Sequence, residues 1–164
     1  ILYMTGIRRA ELIGLLERDV DTLAMQFKVT GKRNKQRIIP FGEELKTLIE
    51  TYRHARRAAV GMEAPQFFVK DDGAPLYPQY VYRLVTRRLG EVTTLTHRSP
   101  HVLRHSFASA MLNDGAGLNS VKELLGHQSL ASTQVYTHIT FEELKRDYKQ
   151  AHPRAIKKGG HYGS

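Results

Sequence analysis

The sequence predicts a mainly α-helical domain carrying a small antiparallel β-sheet, and three observations support this. Several segments place apolar residues at helical spacing, two short strand-like segments flank a polar turn, and hydrophobic residues make up 41% of the 164-residue chain. That share suffices for one core at a length typical of a single domain. No apolar run approaches the ~20 residues that span a bilayer, so no membrane partner is expected.

ILYMTG (1–6) reads as the end of a helix, and the absence of an initiating Met suggests a longer protein whose upstream part is missing. Arg9 to Glu17 spaces Leu12, Leu15 and Leu16 as a short helix. AMQFKVT (24–30) and QRIIP (36–40) read as a hairpin around the turn GKRNK. Pro40 and Gly42 end the hairpin, and EELKTLIETYRHARRAAV follows as a long amphipathic helix. PQFFV (65–69) is expected to add a third strand before the turn signal KDDGAP, and Tyr80 to Leu89 to be helical. Ser99 is the expected N-cap of the next helix, with Pro100 in its first turn. Asn119 or Ser120 should cap VKELLG, which Gly126 ends. Two further helices are expected, from Ser129 to about Tyr136 and over FEELKRDYKQ, the second with an apolar stripe of Phe141, Leu144 and Tyr148. The division expected is a domain over 1–155 and a mobile basic tail over 156–164.

The charge points to a partner. Lys and Arg number 25 against 16 Asp and Glu, a net +9, which favours a polyanion because each neutralised phosphate releases counterions. An unspecialised basic protein is the plainer reading. RHARR (53–57) and Arg87-Arg88 could touch a DNA backbone or simply form a solvated face. With no cysteine, disulfides, thiolate metal sites and a Cys nucleophile are excluded, and a reducing compartment fits.

HVLRHSFA (101–108) concentrates two histidines and an arginine. On a helix, Leu103, Phe107 and Met111 share one face, expected to be core, whereas His101, Arg104 and His105 lie on another. Three readings compete. His101 and His105 have the spacing of a helical zinc pair, but the Glu of HExxH is missing, Arg104 would repel a cation, and no third ligand is evident. Capping and surface hydrogen bonding are the plain structural alternative. The third is a phosphate cradle, with the planar fork of Arg104 gripping two oxygens beside His101.

Other segments bear on the choice. TGIRRAEL sets Arg8 before a helix with Glu11 three residues on, able to orient its guanidinium, although an arginine near a helix start is ordinarily solvated. GKRNKQR carries Lys32 at a hairpin tip, where a merely soluble turn is the ordinary reading. LLGHQSLASTQVYTH puts His127 just past a Gly-terminated helix and Tyr136 nine residues later. Taken together and in order, these five motifs resemble the tyrosine recombinase (phage integrase-like) family, over Tyr3 to about Ala155. FEELKRDYKQAHPRA is further similar to the C-termini of Xer recombinases of the XerC type.

This resemblance implies an N-terminally truncated tyrosine recombinase catalytic domain without the family's N-terminal core-binding domain. It implies Tyr136 as nucleophile on a DNA phosphodiester, forming a 3′-phosphotyrosyl bond. Arg8 and Arg104 would clamp the non-bridging oxygens, with His127 adding a hydrogen bond. A phenol with a pKa near ~10 needs a proton acceptor, a role the family gives to His101, and Lys32 would protonate the departing 5′-oxygen. Glu11 would hold Arg8, and His105 would be a supporting residue. No cofactor and no metal are implied. The implied setting is a double-stranded recombination site bound by a homo- or hetero-tetramer in a bacterial cytoplasm, on the nucleoid. A second Xer-type recombinase and a DNA translocase are the further partners, for resolving chromosome dimers. The stripe of Phe141, Leu144 and Tyr148 would then dock into a neighbouring protomer or pack on its own.

Three alternatives stay open. One is a phage or transposon integrase of the same chemistry. Another is a catalytically inert DNA-binding fragment, and the last is a metal-dependent nuclease using His101 and His105.

Overall fold

The computed structural model describes residues 1–61, 64–92 and 98–126. Helices α1 (Leu2–Thr5) and α2 (Arg9–Ile13) lead into strands β1 (Val20–Asp21), β2 (Gln26–Thr30) and β3 (Gln36–Pro40). Helices α3 (Glu43–Val60), α4 (Pro78–Val92), α5 (Pro100–Asn113) and α6 (Leu118–Leu125) follow. The strands form one antiparallel sheet in sequence order, with Phe27 opposite Ile39 and Val29 opposite Arg37. Residues opposite each other in a ladder share a face, so Phe27, Val29, Ile39 and Arg37 all point the same way. The first three are fully buried, and Arg37 continues that face beyond the apolar core.

Two apolar clusters fill the interior. The larger gathers Ile7, Leu15, Phe27, Ile39, Phe41, Leu45, Ile49 and Phe67 between the sheet and the first four helices. The smaller joins α5 to α6 through Phe107, Met111, Val121, Leu124 and Leu125. Phe107 and Met111 are completely buried, while Leu103, on the same side of α5, packs against the larger cluster. One side of α5 thus spans both clusters, leaving His101 and His105 exposed on another.

Gly6 locks the two halves together. Its φ of 61° is left-handed, and a Cβ there would lie 2.9 Å from Leu125 Cδ2 and closer still to Phe107 Cδ1. Only glycine meets both demands without strain. Gly6→Ala is therefore expected to lower stability by about 1–3 kcal/mol, seen as a lower urea midpoint with an unchanged slope.

Most expected elements are present. Ser99 caps α5, its hydroxyl accepting from the Val102 N–H, with Pro100 in the first turn. Gly126 ends α6 with a left-handed φ of 62°. Lys32–Asn34 forms a single 3-10 turn at the hairpin tip, closed by a 2.7 Å bond from Gly31 N to Lys35 O.

Three expectations need correction. The third strand is Val20–Asp21, and 65–69 contributes only isolated bridges, Leu16 with Gln66 and Val69 with Pro75. The reason is local. Pro65 has no N–H to give, and the Arg56 guanidinium takes the carbonyls of Ala64 and Gln66 at 2.6 and 2.9 Å, which a neighbouring strand would have used. The helix from Arg9 stops at Ile13 rather than Glu17, where Gly14 weakens it. The Leu15 carbonyl instead accepts from Phe67 N at 2.7 Å. Finally, α6 begins at Leu118 after Gly117, so Ser120 is buried inside the helix rather than capping it.

The RHARR run is also partly inward. Arg53 donates to Glu17 Oε1 at 2.7 Å and to Val20 O at 2.8 Å, and Arg56 is buried. These two arginines staple α3 to the segments it covers. The helices expected over 129–136 and 141–150, and the tail over 156–164, lie outside the described residues.

Candidate active site

Three arginines from distant stretches of chain meet around one buried carboxylate. Glu11, in the first turn of α2, is 5% exposed and accepts four hydrogen bonds. Its Oε2 accepts from the Arg8 backbone N–H at 2.9 Å, half of a capping box, and from Arg37 Nη2 at 2.9 Å. Its Oε1 accepts from Arg8 Nη1 at 2.8 Å and from Arg37 Nη1.

The same three guanidiniums converge on the carbonyl end of α6, where backbone acceptors are left unpaired by the helix itself. Arg37 Nε donates to Leu124 O at 2.8 Å, Arg104 Nη2 to Leu125 O at 2.6 Å, and Arg8 Nη2 to Gly126 O at 2.7 Å. Three consecutive carbonyls each take a different arginine. The partial negative charge at a helix C-terminus favours this arrangement. Arg104 also donates through Nη1 to Gly6 O, the residue that joins α1 to α5. A side chain at the crossing would press on two of the guanidiniums. A Cβ on Gly126 would lie 3.0 Å from Arg8 Nη1 and 3.2 Å from Arg37 Nη1.

The electrostatics are unbalanced. Three guanidiniums against one carboxylate leave two positive charges in excess. Burial, then the like charges of Arg8 and Arg37, push the Arg104 pKa down to about 10, with Glu11 pulling the other way. Burial alone would raise the Glu11 carboxyl. The hydrogen bonds and charge of Arg37, followed by the two hydrogen bonds from Arg8, overcome it and hold the carboxyl below its ordinary range. A desolvated cation pressed by like charges is stabilised by any anion that enters beside it.

Among the described residues, donors remain for such an anion. A guanidinium carries five N–H groups. Arg104 uses two of its own on carbonyls, and Arg8 uses two on Glu11 and Gly126. The Arg8 side chain is 34% exposed, against 15% for Arg37 and 3% for Glu11, so Arg8 is more open to solvent than Arg37.

Of the residues singled out from sequence, Arg8, Glu11 and Arg104 come together here. Lys32 is exposed at the hairpin tip, next to Gly31, where a Cβ would lie 3.3 Å from Glu11 Oε1. The base of the hairpin tip thus abuts the cluster. His101 is exposed on α5, three residues before Arg104 and so on the adjoining helix face. His105 is exposed beside it. His127 and Tyr136 lie outside the described residues. Among the described residues, no group of three His, Cys, Asp or Glu side chains could hold a metal ion. No helix among them is long and apolar enough to cross a membrane.

Sequence reasoning missed Arg37. Its signal was the strand period, since a residue two before the buried Ile39 must point toward the same side. An arginine on an inward face needs a buried acceptor, and Glu11 is that acceptor.

Residues 1–143 match the model of the phage integrase family. The chain is 44% identical over 161 residues to the tyrosine recombinase XerC of Chlorobaculum tepidum, covering 94% of this chain and 48% of that protein. It is 40% identical over 162 residues to the XerC of Bacillus subtilis, covering 96% and 53%. The chain therefore spans about half the length of these curated relatives. Among solved structures it is similar to XerA recombinase, with a TM-score of 0.73 and 30% identity over 93% of this chain and 56% of that one. It is also similar to the XerH site-specific recombinase bound to its difH substrate in a pre-cleavage complex. There the TM-score is 0.68 at 25% identity, over 91% of this chain and 44% of the other. A matching family model over most of the sequence and relatives of this identity are sufficient: the chain belongs to the phage integrase family of tyrosine recombinases.

Proposed function

We propose that the chain carries the strand-cleaving site of a site-specific DNA recombinase of the Xer type, acting on double-stranded recombination sites. The observation that supports this best is the excess charge of the Arg8–Arg37–Arg104 cluster around Glu11, with N–H donors on Arg8 and Arg104 that no described residue takes. That is the environment a phosphodiester needs as negative charge builds up on its non-bridging oxygens.

In the proposed reaction the Tyr136 phenol oxygen attacks phosphorus. Its proton passes to His101, and a P–O bond forms at the 3′ side as the bond to the 5′-oxygen breaks. Lys32 supplies the proton that turns the leaving oxygen into a 5′-hydroxyl. Arg8 and Arg104 bind the two non-bridging oxygens, and His127 adds a further hydrogen bond. The ester energy is kept in the phosphotyrosyl bond, so a 5′-hydroxyl from another strand reverses the steps and reseals without ATP. The relatives named XerC and the XerH complex with difH support a Xer-type role. Under that role the partners are a tetramer on DNA, with a second Xer-type recombinase and a DNA translocase, in resolving chromosome dimers in the cytoplasm.

A Xer-type site nicked beside the scissile phosphate tests the reading, because loss of the short released strand traps the intermediate. The expected result is a covalent protein–DNA adduct, insensitive to EDTA and absent in Tyr136→Phe. Tight binding with no adduct would instead mark an inert DNA-binding module, and loss of cleavage in EDTA a metal-dependent nuclease.

A further inference from the structure

Among the described residues, Arg37 differs from its two neighbours in having all three of its guanidinium nitrogens bonded to protein acceptors. Its Nε is committed to Leu124 O at 2.8 Å, and its Nη1 and Nη2 to the two oxygens of Glu11. Its side chain is 15% exposed, less than half the value for Arg8. A guanidinium whose three nitrogens all face protein acceptors is held as a rigid plane, and what it grips is held in turn.

We infer that Arg37 is a positioning residue for strand cleavage, acting through Glu11 on the aim of Arg8. The inference rests on the recombinase reading above. Glu11 has four donors, two from Arg8 and two from Arg37. Arg8 is bonded from its own backbone as well as its side chain, so its pair could follow any swing of the carboxylate. The Arg37 pair comes from a different element, strand β3, and refers the carboxylate to the sheet. Without it, the carboxylate keeps only contacts local to α2. Arg8 then loses its fixed orientation, although every Arg8 contact could still form.

Arg37 ties down a second point. Its Nε bond fixes Leu124 O, two residues before Gly126, whose carbonyl holds Arg8 at 2.7 Å. One side chain thus braces both supports of the Arg8 guanidinium, the carboxylate on Nη1 and the carbonyl on Nη2. It also anchors the last turn of α6 immediately ahead of His127. Catalytic groups displaced by as little as about 1 Å can lose about 10²-fold in rate, so such bracing has a kinetic consequence without any contact to DNA.

The experiment is single-turnover adduct formation on the nicked substrate by the full-length protein, with DNA affinity measured separately. Arg37→Gln is expected to slow adduct formation about 10- to 100-fold while the DNA Kd changes by less than about 2-fold. Arg37→Lys, which keeps the charge but not the fork, should also be slowed, and it carries the test if the Gln variant does not fold. Combining Arg8→Gln with either Arg37 variant should cost little beyond Arg8→Gln alone, because the two act as one unit. Parental rates in both Arg37 variants, a fall in DNA affinity matching the fall in rate, or full additivity with Arg8→Gln would each overturn the inference. If the unsubstituted protein forms no adduct, the recombinase reading itself fails. If it forms one that Arg37 does not influence, only this inference fails.

Discussion

Arg104→Gln is expected to slow covalent adduct formation by about 10²- to 10³-fold, equivalent to about 3–4 kcal/mol of transition-state stabilisation. The expectation follows from how the guanidinium is held. Two of its N–H groups are fixed on Gly6 O and Leu125 O, so the guanidinium plane is held in advance and needs no reorganisation when charge develops. Burial and two neighbouring cations push its pKa down to about 10, which leaves it fully charged at neutral pH yet short of an anion. Glutamine keeps a donor but loses the charge and the fork. Folding should suffer less than catalysis, because the variant also removes repulsion from Arg8 and Arg37 and this offsets the two lost hydrogen bonds. Single-turnover kinetics beside a thermal melt separates the effects. An Arg104→Gln protein that melts normally and forms adduct at the parental rate would remove Arg104 from the phosphate clamp.

Glu11→Ala is expected to be the most destabilising change in the site, by about 3–5 kcal/mol. It leaves three guanidiniums facing one another with no carboxylate between them, and it strips two charge-assisted bonds from Arg37 and two from Arg8. Glu11→Gln keeps the shape and isolates the charge. Because the folded protein holds the Glu11 carboxyl below its ordinary value, its contribution is complete above the unfolded pKa of about 4.3. That contribution is lost as pH falls from there through the folded value, where the native carboxylate must finally take a proton. The difference in melting temperature between parent and Glu11→Gln should therefore be largest near neutrality and shrink in acid. A difference that stays constant through the acid range would mean that the carboxylate charge contributes nothing. Inorganic phosphate should raise the melting temperature of both, since an anion that binds only the folded cluster stabilises it by mass action.

These effects show which parts of the site were readable in the chain itself. Arg8, Glu11 and Arg104 could be picked out because the short motifs that hold them, taken in order, resemble the tyrosine recombinase family, and each motif is local to one helix. Glu11 three residues beyond Arg8 reaches its guanidinium by the rise of a single turn. Arg37 could not be placed in the same way. Its partner lies on another element, and the alternation that turns it inward has meaning only once the sheet has a buried face.

The local signals decided most of the fold. Ser99-Pro100 starts α5, Gly126 ends α6, and the GKRNK turn joins β2 to β3, because capping and turn formation depend on a few adjacent residues. Five motifs in order likewise sufficed to assign the family. Tertiary structure alone decided which short segment became the third strand. Strand pairing depends on whose carbonyls remain free, and Arg56, reaching from α3, had already claimed those of Ala64 and Gln66. It alone also decided that three arginines distant in sequence would share one carboxylate and the end of one helix. Charge balance in a desolvated site is a property of what folding brings within a few ångströms, and no stretch of sequence contains it.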